Sequence, residues 1–321
     1  MIKTAIAALG MCALVGSASA QAQSYPDRPI KLVVGFSPGG GSDTTARLLA
    51  TALGTRLGQP IVVENRPGAN TIIATQYVAS QPADGYTLLF TSASFAINPS
   101  LQKLSYDSDR DFAPVALVDT IPLLLVTNLD VPAKSVGELI DLAKKQPGKL
   151  SYASFGLGSA AHLASEQLLA MTGTEMVHVP YKGSAPALAD VMGGQVTMMM
   201  PGIGSAASLV KGGKVRALAV SGSKRATGMP DVPTIAEAGV TGFDVVTWEA
   251  ILAPAGTPAA IVTKLNGALR EVLATPAIRD QMIQMGMEPD GTKSPSEVTA
   301  YIKREEQKFS TLIRERHIEA K

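Results

Sequence analysis

Beyond its first two dozen residues the chain has no cysteine. The single cysteine of the 321 residues, Cys12, lies inside a segment that reads as a secretory leader. Lys3 supplies a positive start, residues 5–15 are mostly apolar, and Ser17-Ala18-Ser19-Ala20 ends in an A-x-A cleavage pattern. Cleavage is expected near Ala20, and residues 1–22 are assigned to the signal peptide. The apolar run falls short of the roughly 20 residues that span a bilayer. Leu9-Gly10-Met11 ahead of Cys12 is a poor lipobox, so no lipid anchor is expected there. The mature chain therefore has no disulfide, thiolate metal site or cysteine nucleophile. A chain of about 300 residues buries enough core to fold without such staples.

Charge of one sign is also missing. Lys and Arg total 28 against 27 Asp and Glu, and loss of Lys3 with the leader makes the counts equal. Without a basic excess, nucleic acid and anionic membrane are excluded as expected partners. Every later apolar stretch is broken by polar residues, Gly or Pro, so no transmembrane helix is expected. The histidines, His162, His178 and His317, have no metal-ligand spacing. No carboxylate pair stands at a catalytic spacing. No metal and no cofactor is expected.

What is present is an alternation of strand and helix patterns. Strands are predicted at 30–36, 61–64, 87–91, 115–118, 123–127, 150–154, 176–181, 196–200, 215–220 and 245–252. Helices are predicted at 44–57, 71–80, 136–145, 159–171, 185–192, 258–273, 277–285 and 295–316. Such alternation predicts an α/β fold with a parallel sheet covered on both faces. Two sheet-building halves meet near residue 123, and the C-terminal helices need the first half to pack on. The expected domains are thus 24–123 plus 247–321, and 124–246, joined by two crossings that make a hinge. Ser135 with Glu138 reads as a capping box, and Gly58, Gly173 and Gly286 as helix-ending glycines.

Two strand–loop–helix units carry the chemistry. The first loop reads Ser37-Pro38-Gly39-Gly40-Gly41-Ser42-Asp43, the second Phe155-Gly156-Leu157-Gly158-Ser159. Glycines let a ligand approach the peptide plane, and a helix N-terminus offers unpaired N–H groups to an anion. Ser42 or Asp43 is expected to cap the first helix and Ser159 the second. A carboxylate at Asp43 would repel an anion, so its structural role is the main reading. His162 lies in the first turn of the second helix, where a ligand contact and a local hydrogen bond are both open. His178 and Trp248 read as structural, and of the Met198-Met199-Met200 strand only Met200 and Pro201 reach a cleft edge. Gly35-x-Ser37-x-Gly39 fits a nucleophile elbow, but the next residue is Pro38, which has no N–H for an oxyanion hole. Gly156-x-Gly158-x-x-Ala161 fits a dinucleotide loop, yet the following strand ends in Lys182 where such sites place an acid.

Assembled, these residues resemble a solute receptor of the tripartite tricarboxylate transporter family, also called the Bug family. The resemblance runs over nearly the whole mature chain. It is carried by Tyr25-Pro26-Asp27-Arg28-Pro29-Ile30, the first loop, Glu64-Asn65-Arg66-Pro67-Gly68 and Ala83-Asp84-Gly85-Tyr86-Thr87. It continues through the second loop to His162-Leu163, then Val179-Pro180-Tyr181-Lys182-Gly183, Asp231-Val232-Pro233-Thr234 and Ala253-Pro254-Ala255-Gly256-Thr257-Pro258. The resemblance implies a two-domain periplasmic-binding-protein fold of the Venus-flytrap, type II-like kind, and no enzymatic activity. It implies that a small organic acid is held by residues 37–43 and 154–160, Ser154 and Ala160 included, through backbone groups and water. Thr91, Ser92 and Pro201 are expected to line the cleft, and Phe36 with residues 93–97 to shape the far end of the pocket. One large and one small integral-membrane subunit would receive the cargo. Whether a sensor kinase also reads the closed state, and which solute is carried, stay open. At Gly68-Ala69-Asn70-Thr71 the chain has fewer glycines than the family pattern, which weakens the expectation of a ligand contact there. A secreted α/β hydrolase using Ser37 is the alternative, and an interaction protein with a vestigial cleft a third reading.

Overall fold

The computed structural model describes residues 25–319; the expected leader and its cleavage site lie outside the described residues. The first part of the chain runs β1 (Ile30–Val34), α1 (Gly41–Leu57), β2 (Ile61–Asn65), a 3-10 turn (Ala69–Thr71), α2 (Ile72–Ala79), β3 (Thr87–Ser92), α3 (Ser94–Leu101) and β4 (Phe112–Pro122). Next come β5 (Leu124–Thr127), α4 (Val136–Lys145), β6 (Ser151–Ser154), α5 (Ala160–Thr172), β7 (Val177–Pro180), α6 (Ser184–Met192), β8 (Met198–Met199), α7 (Ile203–Lys211) and β9 (Arg216–Val220). The chain closes with β10 (Val246–Pro254), α8 (Ala259–Ala274), α9 (Pro276–Gln284), β11 (Glu288–Pro289) and α10 (Pro295–Glu315).

Two sheets result, with strand orders β11-β4-β10-β3-β1-β2 and β7-β6-β8-β5-β9. The chain passes from the first to the second between β4 and β5 and returns between β9 and β10. Neither sheet is all parallel, which corrects the expectation from alternation. β10 runs antiparallel to both β3 and β4, and β5 antiparallel to β8 and β9. In the first sheet the reason lies in the return crossing: β10 re-enters without a crossover helix and pairs antiparallel. This reversal positions the site, because β10 begins at the edge where β1 and β3 end, with Glu249 opposite Ser92.

Most predicted elements are found within a few residues. β4 is much longer than predicted because Pro114 sits at a register shift against β10, where a missing N–H is tolerated. α3 and α7 had no prediction; Pro99 lies inside the one, and Gly204 with small residues thins the apolar pattern of the other. Ser135 accepts the Glu138 N–H, but the Glu138 carboxylate takes the Lys134 N–H, so the box is only half formed. The complete capping box is at Ser294 and Glu297. Gly58, Gly173 and Gly286 all take positive φ at helix ends, as expected.

One apolar cluster extends from Val33, Leu89 and Trp248 of the first sheet through Leu123 to Leu125, Tyr152 and Met198 of the second. Phe309, Leu312 and Ile313 of α10 and Leu163 and Leu168 of α5 belong to it. α10 thus packs on β4 of the first sheet and also reaches α5 beside the second.

Candidate ligand-binding cleft

The first loop is built around Asp43. α1 begins at Gly41 with Gly40 as N-cap, so neither Ser42 nor Asp43 caps it. The buried Asp43 carboxylate instead accepts the Gly39 N–H at 2.9 Å, Asn65 Nδ2 at 2.7 Å and Arg47 Nε at 3.0 Å. Burial pushes its pKa up, but these donors outweigh burial and hold it at about 2. Asp43 is therefore an ionised brace that curls the loop, with its acceptors already occupied. Ser37, Pro38, Gly39, Gly40 and Gly41 form an exposed rim.

The second loop is braced by neutral partners. Ser159 caps α5 by accepting the His162 N–H, and Ser159 Oγ donates to the Gly156 carbonyl at 2.7 Å. Buried Ser154 accepts the Gly156 N–H and contacts His178 Nε2 at 2.7 Å. His162 Nδ1 accepts the Gly158 N–H at 3.1 Å, so the local-hydrogen-bond reading of this residue is present in the structure. Burial, then the neighbouring His178, lower the His162 pKa to about 4, so the ring is neutral near pH 7. The two imidazoles stack with centroids 4.0 Å apart, and His178 stacks on Tyr152 at 4.9 Å. Tyr152 donates to Glu166, which also accepts from Arg316 beyond the end of α10. Gly158 has φ +71, and a Cβ there would lie 2.3 Å from Leu101 Cδ1 on α3. Glycine at 158 thus lets the second loop seat against the first sheet's helix.

A cavity of about 480 Å³ lies between the loops, within the range of small-molecule sites. Of the predicted residues, Phe36, Ser42, Ser92, Phe155, Ser159 and Ala160 line it. Thr91 is buried on the other face of β3 from Ser92, as strand alternation requires. Pro201 is buried beside the crossing, its carbonyl accepting the Leu124 N–H at 2.8 Å. Ser154, Gly156, Gly158 and His162 stand behind the lining and shape it. A second concavity of about 400 Å³, walled by Phe112, Val262, Pro295 and Ile302, involves neither loop.

The cavity also takes Ser94 and Ile97, from the 93–97 segment expected at its far end, and Asn70, from the segment where the sequence weakened the expectation of a ligand contact; Ile121, Thr247 and Glu249 are the lining residues that sequence reasoning passed over. Asn70 takes φ +51 in a run of three left-handed residues, Ala69 to Thr71, and is held by Ser94 and Asn98. An asparagine in a left-handed stretch was the available signal, since Asn tolerates that region better than most residues. Glu249 gave no such signal. It stands opposite Asp119 across β10 and β4. Val118 is an extra residue at a register shift, so Asp119 joins the face of Glu249 although Leu117 packs in the opposite cluster. Both acids are buried, Asp119 fully and Glu249 to 2% exposure. Burial, then the charge of Glu249, raises the Asp119 pKa well above the carboxylate range. Burial pushes Glu249 up to about 7 against the opposing help of Ser42, Asp119 and Thr45. Two carboxylates offer each other only acceptors; a proton held between them supplies the donor that both need.

Comparison with known proteins agrees with this geometry. Residues 45–318 match the family model described as "Tripartite tricarboxylate transporter family receptor". Protein BugT of Bordetella pertussis (strain Tohama I) is 39% identical over 302 residues, covering 93% of this chain and 92% of that one. The solved structure of R. palustris Rpa4515 with adipate is similar at a TM-score of 0.80 and 37% identity, covering 90% of this chain and 97% of that one. MatC from Rhodopseudomonas palustris with bound malate gives a TM-score of 0.76 and 33% identity, covering 90% and 100%. The fold is that of a two-domain periplasmic binding protein. With sheets, loops and cleft arranged in this way and the match running through most of its length, the chain belongs to the tripartite tricarboxylate transporter receptor family, the Bug group of solute-binding proteins.

Proposed function

We propose that this protein is an exported periplasmic receptor that binds a small carboxylated solute in the cleft and delivers it to the integral-membrane subunits of its transporter. The observation that carries the reading is the cavity walled from both sheets by residues of the two glycine-rich loops. Relatives solved with adipate and with malate support a carboxylate as the common group. The lobes would be residues 24–123 plus 247–321, and residues 124–246, hinged at the two crossings. The first-turn N–H groups of Ala160 and Ala161 have no partner within α5 and suit a carboxylate oxygen. Hydrogen bonds to a charged group contribute about 1.5–3 kcal/mol each, so a few reach micromolar affinity after association costs.

Calorimetry and thermal shift with a panel of organic acids, adipate and malate included, test this. A ligand at about 100 times its Kd should stabilise the fold by about 2.7 kcal/mol. A panel with no stabilising acid would overturn the assignment. Ser37 lies exposed on the rim, and the residue after it is Pro38, which has no N–H for an oxyanion hole. Ser37→Ala should accordingly leave no ester-hydrolysing turnover to lose. Mass spectrometry of the exported protein should find its N-terminus near residue 21.

A further inference from the structure

The two ends of the cleft are chemically unequal. α5 has no acidic residue in its first turn, and the histidine there is neutral. The α1 end has two acids. Asp43 is matched by Arg47, Asn65 and Gly39. Glu249 is not matched: it lines the cavity, and its Oε2 has no hydrogen-bond partner among the described residues. Neither oxygen of Asp119 behind it has one. Among the described residues Glu249 is the only ionisable side chain lining the cavity, and no Lys or Arg lines it to pair with it. The groups facing the pair from other elements do not change this. α1 contributes the Ser42 and Thr45 hydroxyls, and beyond β11 Asp290 is already joined to Lys293.

We propose that the Glu249–Asp119 pair receives a positively charged, hydrogen-bond-donating group of the solute, so that the cleft selects zwitterions with the carboxylate at the α5 end and an ammonium at the β10 end. The inference rests on the receptor reading above and narrows its ligand class. In the empty protein the pair keeps at least one proton between its carboxyl groups. An arriving ammonium brings the charge and the donors that Glu249 Oε2 lacks, and the proton fraction that Glu249 itself holds near its raised pKa leaves to solvent, while Asp119 behind it keeps its own. A dicarboxylate of the same length would set a second anion against a buried acid. Phe36, Ile97, Ile121 and Phe155 supply apolar wall for the carbon skeleton.

The test compares length-matched probes by calorimetry near pH 7.5: 5-aminopentanoate against glutarate, and 6-aminohexanoate against adipate. Each zwitterion is expected to bind roughly tenfold to a hundredfold tighter than its dicarboxylate, the range of a charge-assisted hydrogen bond. Repeating the titrations in buffers of different ionisation heat should show net proton release with the zwitterion. Glu249→Gln should abolish the preference for the zwitterion and the proton release that accompanies it. The wild-type ratio and the proton count need no variant, so misfolding of the glutamine form leaves the test intact. Tighter dicarboxylate binding accompanied by proton uptake would overturn the inference, making the pair a neutral donor, and would leave the receptor reading standing. Absence of binding by either class would overturn both.

Discussion

Glu249→Gln should stabilise the empty protein, and the gain should depend on pH in one direction. Glutamine keeps the shape and hydrogen-bonding capacity of the side chain and removes its titration. In the fold, burial raises the Glu249 pKa from 4.5 to about 7. The folded state therefore holds a proton that the unfolded chain has already released. Below pH 4.5 both states are protonated and the acid carries no penalty. As pH rises from 4.5 towards 7 the penalty grows, and above 7 it is constant. A shift of that size corresponds to destabilisation on the order of 3 kcal/mol at pH 8. Urea denaturation at several values between pH 4.5 and 8.5, followed by the fluorescence of Trp248, the only tryptophan, measures it. The difference between variant and wild type should be near zero at pH 4.5 and approach about 3 kcal/mol at pH 8. Parallel stability curves for the two proteins would refute the shared-proton account of the pair.

Three further outcomes follow from the same geometry. Gly158→Ala should destabilise by about 1–3 kcal/mol in thermal or urea melts, from left-handed strain plus the clash with Leu101; adding Leu101→Ala should relieve the clash and leave the strain. His162→Gln should flatten the acid side of the stability curve: the folded pKa of about 4 lies below the ordinary 6.5, so wild-type stability is lost as pH falls from 6.5 through 4. Glu288→Ala removes the bonds that Thr227 makes to it across the sheets at 2.6 and 2.7 Å; small-angle scattering of the empty protein should then show a larger radius, and ligand affinity should drop severalfold.

Much of the fold was legible because it is written in local terms. Strand and helix periods, the Ser159 cap and the positive-φ glycines depend on neighbours within a few positions. The two loops were legible as strand–glycine–helix turns for the same reason, but such turns are common in α/β proteins, so the pattern alone did not place them around one cavity. Asp43 shows where local reasoning stopped. Its type suited an N-cap, but Asn65 and Arg47 claimed the carboxylate, and Asn65 lies 22 positions away. The long β4 and the mixed sheets were hidden because pairing direction is set by which strands meet after the crossings.

By itself, then, the chain's order of residues determined an α/β protein with two amide-rich turns and no second cysteine to form a disulfide, because composition and short-range periodicity need no partner to act. Tertiary structure alone decided that the turns share one cavity, that Asn70 lines it, and that Asp119 meets Glu249. Those two acids are 130 positions apart and are brought onto one face by an antiparallel pairing with an inserted residue. Burial then turned two ordinary carboxylates into the cavity's one ionisable contact, a property of surroundings that no single segment carries.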